Sequence, residues 1–193
     1  EQEWNTKADH RTFTKRFCTL FLGCGSDALA EAIDDLGDVA HLHLDGHYQS
    51  IWTHLLFAPA GDALFQGFEA QGSVCELGRI TPRFIRLDAA LARDTLDALE
   101  EAGAVLAAHQ KQARDPLGVL PYWRYAVDAM ALAARKLAVL GEGGCNTAPA
   151  RKKLAKDMNE LRERFEALWL ERSQPSEIRN TLKLFQRGIR GLG

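Results

Sequence analysis

The chain has 193 residues, 46% of them hydrophobic, which is enough to fill the core of one large domain or two small ones. Its 24 basic and 26 acidic side chains give a net charge of −2 and are interleaved along the chain, a pattern that argues against a nucleic-acid partner. No apolar run approaches the roughly 20 residues that a membrane span requires, so we expect no membrane partner.

The chain is expected to open with an extended lead-in, residues 1–8. Asp9 is a suitable N-cap for a first helix because its carboxylate can accept hydrogen bonds from otherwise unpaired amides. Gly23 is placed to end that helix in a left-handed conformation. Four apolar side chains recur along one side of it: Phe13, Phe17, Leu20 and Phe21.

Ser26 is the predicted N-cap of a second helix, which we expect to stop at Gly37. An aromatic-rich segment follows over residues 39–57, and residues 63–68 are predicted to form one more short helix. Together these elements define a predicted short-helix N-terminal subdomain, residues 9–68.

The pattern changes between Glu69 and Phe84, where no helical stripe is present. Gly72, Gly78 and Pro82 interrupt this stretch. Glycine and proline at such intervals are typical of loops, so residues 69–84 are predicted to form an irregular connection between two subdomains.

The remainder, residues 85–193, is predicted to be a bundle of long helices. Leu87 to Arg114 is rich in Ala and Leu, and Asp115-Pro116 ends it because the residue before proline is pushed out of helical geometry. Three further segments each carry one apolar stripe at spacings of three and four: Leu120, Trp123, Val127, Met130, Ala134 and Leu137; Leu154, Met158, Leu161, Phe165 and Leu168; Ile178, Leu182, Phe185 and Ile189.

Helices with a single apolar stripe must bury it against one another. The sequence therefore predicts an all-α fold, a helical bundle with long near-antiparallel C-terminal helices and a shorter-helix N-terminal part.

Two groups of side chains resemble metal-binding patterns. Asp34, Asp35 and Asp38 match the D-D-x-x-D motif that binds magnesium in isoprenoid synthases, but we expect them at a solvated helix end. Four histidines could supply zinc ligands, but no H-E-x-x-H or cysteine pair accompanies them: His41, His43, His47 and His54. The long helices contain no Glu-x-x-His pair for a di-iron site. We therefore expect no metal, no cofactor and no catalytic constellation in this chain.

Four cysteines are scattered along the chain without a C-x-x-C pair: Cys18, Cys24, Cys75 and Cys145. Unpaired cysteines usually behave as small hydrophobic side chains, so free thiols are expected, with disulfides the alternative in a secreted protein. Cys24, within Gly23-Cys24-Gly25-Ser26, is a weak candidate nucleophile at a helix start. Trp4, which lies outside any apolar stripe, is a possible sugar contact, and the other three tryptophans are weaker candidates for that use.

The stretch RFEALWLERSQPSEI, from Arg164 to Ile178, has the layout F-x-x-L-W-x-x-R-S-x-P-S-x-I. It resembles the helical tail at the C-terminus of bacterial family 20-type glycoside hydrolases, the β-N-acetylhexosaminidases. The opening EQEWNTKAD, from Glu1 to Asp9, is similar to the end of the catalytic barrel in such enzymes.

The resemblance implies a C-terminal helical domain that packs on an upstream (β/α)8 catalytic barrel. The family's catalytic Asp-Glu pair lies on that barrel and matches no position here, and a barrel of about 250 residues cannot fit before Asp9. The family also has a W-x-E sugar-contacting motif, where this chain has Glu3-Trp4-Asn5.

The leading hypothesis is therefore a non-catalytic C-terminal accessory domain of a glycoside hydrolase, part of a longer polypeptide, that supports the catalytic domain or an oligomer interface. The alternatives are an independent helical protein-interaction module and a metal-dependent enzyme. A docking face is predicted in the aromatic-rich N-terminal half, from Phe13, Phe17, Phe21, Trp52, Phe57 and Phe65, with packing in the core as the competing use of these side chains.

Overall fold

The computed structural model describes residues 9–40, 56–60, 68–71, 82–85 and 89–193. Six α-helices lie within these residues: α1 His10–Phe17, α2 Asp27–Ala40, α3 Ala89–Gln110, α4 Leu120–Leu140, α5 Ala148–Arg172 and α6 Pro175–Arg190. The helix α1 continues directly into a π-helical turn, Cys18–Leu22. In this part of the chain the predicted all-α helical bundle is confirmed.

The start and the end of the first helix follow the prediction. The Asp9 carboxylate accepts hydrogen bonds from the backbone amides of Arg11 and Thr12, at 3.2 and 3.3 Å, and so caps α1. Gly23 closes the π-helical turn with a φ of +66°, a left-handed conformation that glycine adopts without steric cost.

Helix α2 begins where the sequence predicts and ends later. The Ser26 hydroxyl accepts a hydrogen bond from the amide of Leu29 at 3.4 Å. The predicted stop at Gly37 is wrong, since the helix passes through it to Ala40. Leu36 and Val39, on either side of the glycine, are buried in the core. Their burial outweighs the roughly 1 kcal/mol penalty of a glycine inside a helix.

Two short strands lie in the stretch predicted to be irregular. Strand β1, Phe68–Gln71, pairs in antiparallel register with β2, Pro82–Ile85. Proline is tolerated at the first position of a strand, which is where Pro82 lies. The glycines and proline that suggested a loop thus lie in or between two paired strands. The division of the chain into subdomains stays a prediction.

Helix α4 occupies the centre of the bundle and contributes to two hydrophobic clusters. The N-terminal cluster joins α1, α2, α3 and the first half of α4 through buried side chains that include Leu22, Leu29, Leu106 and Met130. The C-terminal cluster joins α4, α5, α6 and residues 56–58 through buried side chains that include Leu137, Met158 and Phe185. Because α4 is packed on two sides, it links the two clusters into one bundle.

The three predicted stripes form much of this core. In α4 every member is buried except Trp123, which is partly exposed. Leu154, Met158 and Leu161 of α5 are buried, whereas Phe165 and Leu168 nearer its end are partly exposed. In α6, Ile178 and Phe185 are buried.

Candidate interaction surface

Three large side chains of α1 and its π-helical turn are exposed. Leu20 is 75% exposed, Phe13 51% and Phe21 42%, while Phe17 is partly buried. These four side chains define the aromatic surface. On the opposite side of the same helical segment Thr14, Cys18 and Leu22 are buried.

The spacing of the side chains produces this arrangement. Phe13, Phe17 and Phe21 are four residues apart, which places them in a row on one side of the helix. The rings of Phe17 and Phe21 are stacked with centroids 4.9 Å apart. Consequently the aromatic surface is a continuous apolar strip and not a scatter of single exposed residues.

Small side chains on the inner side of α1 hold it against α2. The Thr14 hydroxyl donates a hydrogen bond of 2.6 Å to a carboxylate oxygen of Asp34 on α2, and its oxygen also lies 3.1 Å from the carbonyl oxygen of His10. Cys18 packs beside this pair in the N-terminal cluster. The core therefore accepts Thr14 and Cys18 and part of Phe17, and leaves Phe13, Leu20 and Phe21 exposed.

Two ion pairs connect the exposed edges of α1 and α2. Arg11 contacts Glu31 at 2.6 Å, and Lys15 contacts Asp27 at 2.7 Å. Surface pairs of this kind contribute little to stability. They add charged contacts to the junction of α1 and α2, on a side of α1 away from the aromatic surface.

The predicted docking face is divided by the structure. Phe13, Phe17 and Phe21 belong to the aromatic surface, joined by Leu20. Phe57 instead packs edge-on against the buried ring of Phe185, with centroids 5.0 Å apart, and belongs to the C-terminal cluster. Trp52 and Phe65 lie outside the described residues.

The aspartate motif lies within a helix and not at a helix end as predicted. Asp34, Asp35 and Asp38 are all within α2, because the helix continues to Ala40. Asp34 is engaged by Thr14. Across the described ranges no three or more His, Cys, Asp or Glu side chains lie close enough to hold a metal ion. The four histidines proposed as zinc ligands, and Trp4, lie outside those ranges, so the sugar contact of Trp4 stays a prediction.

Three of the four cysteines lie in the described part of the chain, and all three are free thiols: Cys18, Cys24 and Cys145. Burial raises the pKa of the Cys18 thiol to about 11, and the neighbouring Cys24 and Asp34 add to this effect. A thiol with such a pKa is protonated at neutral pH and is a poor nucleophile. Cys24 is partly exposed at the loop before α2.

None of the helices in the described residues is sufficiently long and apolar to span a bilayer. Comparisons with protein-family models, with curated proteins and with solved structures find no match for this chain.

Proposed function

We propose that this chain is a non-catalytic helical accessory domain that docks onto a partner domain through the aromatic surface of α1. The observation that carries the proposal is the orientation of that helix. Phe13, Leu20 and Phe21 are exposed to water, whereas the smaller Thr14 and Cys18 are buried. Exposed apolar area is unfavourable for an isolated domain, and a partner that covers the aromatic surface would remove this area from water.

On the resemblance of the two stretches, the partner that we propose is the catalytic barrel of a family 20-type glycoside hydrolase, joined upstream in one polypeptide. Such a barrel would end directly before α1, since the stretch that resembles its end runs from Glu1 to Asp9. The aromatic surface begins at Phe13, four residues beyond the cap of α1 at Asp9. The attachment would hold the partner at high effective concentration beside the surface, so a small interface suffices.

An independent protein-interaction module is the second candidate, because the same surface would serve a separate partner equally well. The two candidates differ in the native gene product. The first measurement is therefore the intact mass and the reading frame of that product. A hydrolase barrel encoded directly before Glu1 would support the accessory domain. A native product without a barrel would refute it and favour the independent module.

The docking surface itself is tested in the native polypeptide with Phe13→Ser and Phe21→Ser. The matched controls are Leu170→Ser and Leu184→Ser, since these leucines are exposed to similar extents, 49% and 43%, on α5 and α6. We expect the α1 variants to separate the domains, seen as faster proteolysis between them and a lower melting temperature of the catalytic domain. The control variants should resemble the wild type.

Equal behaviour of all four variants would refute docking through α1, even if the barrel is present. A loss of folding in the isolated chain carrying Phe13→Ser or Phe21→Ser would show that these side chains act within the domain and would also refute it. Far-ultraviolet circular dichroism of the isolated variants checks this second outcome.

A further inference from the structure

A second surface feature lies where the end of α3 meets α4 and α5. It is a pocket of about 420 Å³ lined by Gln110, Pro121, Arg124, Arg164, Ala167 and Leu168. This volume is within the range of small-ligand sites. The lining contains two guanidinium groups and no acidic side chain.

The two arginines are positioned by contacts with the rest of the bundle. Arg124 donates through Nη1 to the side-chain oxygen of Gln110 at 2.7 Å. Arg164 donates through Nη1 to Asp128 at 2.5 Å, and its guanidinium carbon lies 5.9 Å from the centre of the Tyr125 ring. Each guanidinium therefore has one hydrogen-bonding contact within the bundle, which favours one orientation of its remaining N–H groups.

The remaining hydrogen-bonding capacity of the lining side chains is mostly that of donors. The Gln110 oxygen already accepts one bond from Arg124, and Asp128, the partner of Arg164, lines two neighbouring grooves instead of this one. An arginine has five N–H donors, and each guanidinium contributes one nitrogen to these contacts. Donors without acceptors select a ligand that carries oxyanions.

We propose that this pocket binds a small organic dicarboxylate, with one carboxylate at each guanidinium. Arginine matches a carboxylate through two parallel N–H···O bonds. Pro121, Ala167 and Leu168 supply an apolar wall for the methylene groups between the two carboxylates. This wall favours an organic dianion over sulfate, which has the charge but no apolar part. The site is separate from the aromatic surface, so it does not depend on the proposed docking.

The test is titration of the chain with glutarate and, separately, with sulfate at constant ionic strength, followed by amide shifts in nitrogen–proton NMR spectra. We expect saturable shifts at the end of α3, the start of α4 and the end of α5, with glutarate binding more tightly than sulfate. Arg124→Gln and Arg164→Gln should each weaken glutarate binding at least tenfold, because each removes charge-assisted hydrogen bonds. Arg93→Gln is the control, since Arg93 is exposed on α3 and lies outside this pocket's lining.

Shifts that increase linearly without saturating, or that are the same in all the variants, would overturn the proposal and indicate a general effect of anions. Equal affinity for glutarate and sulfate would overturn the role of the apolar wall. Arg164→Gln also removes the contact with Asp128 and could disturb the fold. If the spectrum of the Arg164→Gln variant shows such a disturbance, the result for Arg124→Gln decides the outcome.

Discussion

The ammonium nitrogen of Lys136 donates a hydrogen bond of 2.8 Å to the carbonyl oxygen of Leu56, in a position where the lysine side chain is 0% exposed. A second bond of 2.8 Å goes to the carbonyl of Ala58. These two carbonyl oxygens lie among apolar side chains of the C-terminal cluster, which offer no hydrogen-bond donor. The ammonium group of Lys136 supplies the donor that they need. Lys136 therefore fastens residues 56–60 to the central helix α4.

This buried lysine makes stability depend on pH. Burial lowers the pKa of Lys136 to about 8 from its ordinary value of 10.5. Between these two values the unfolded chain holds a proton that the folded chain has released, so the free energy of unfolding rises with pH through this window. Below pH 8 both states are protonated and the contribution is constant.

The prediction is tested with Lys136→Met, which removes the titrating group and keeps an apolar stem. At pH 7 the substitution stabilises the folded state because no charge is buried, and destabilises it because two carbonyls lose their donor. Each effect is about 1–3 kcal/mol, and the two oppose each other. We expect nearly equal stabilities at pH 7. The wild type should then gain on the variant by up to about 3 kcal/mol as the pH rises from 8 to 10.5. Urea unfolding at several pH values measures the difference, and parallel profiles would contradict this role of Lys136.

The aromatic group at the α5–α6 contact gives a second prediction, based on unequal burial. Phe185 is 1% exposed, and its ring is 5.8 Å from that of Phe165, which is partly exposed. Phe185→Ala should destabilise the chain by about 3–5 kcal/mol because it leaves a cavity. Phe165→Ala should cost less, about 2–3 kcal/mol, since its site can partly fill with water or with Trp169. Denaturant unfolding compares the two, and a larger loss for Phe165→Ala would be inconsistent with this packing.

The thiols give a third prediction because they differ in both exposure and pKa. Cys145 is exposed before α5, whereas Cys18 is buried with a pKa raised to about 11. At pH 7.5 a maleimide should label Cys145 rapidly and leave Cys18 unmodified until urea unfolds the chain, as measured by peptide mass spectrometry. Cys145→Ser controls for the site of fast labelling. Equally fast modification of Cys18 in the folded chain would show that its environment is open to solvent.

The sequence predicts the long helices well because their stripes at spacings of three and four reflect burial directly. Lys136 shows where such a pattern is insufficient. It lies four residues after Leu132 and four before Leu140, where the spacing calls for an apolar side chain. That interruption was the available signal for a buried charge, but its partners on residues 56–58 are about 80 positions away and depend on tertiary structure.

The same limit applies to Gly37 and to the candidate site. Local propensity favours a helix stop at Gly37, and only burial of the flanking side chains decides otherwise. Periodicity identifies an apolar face on α1 but does not say whether the core receives it. The hydrogen bond from Thr14 to Asp34 brings Thr14 against α2, and Phe13 and Phe21 are left exposed.

This orientation of α1 gives the last prediction, a contrast between two leucines two positions apart. Leu20 is 75% exposed and Leu22 is 0% exposed. Leu20→Ala should change the free energy of unfolding of the isolated chain by less than about 0.5 kcal/mol, as surface substitutions do. Leu22→Ala should cost about 2–5 kcal/mol through the lost contacts and the cavity. Both stabilities are measured by urea unfolding. Because the two substitutions are chemically identical, similar losses would mean that α1 is turned differently on α2, and the aromatic surface would then be part of the core.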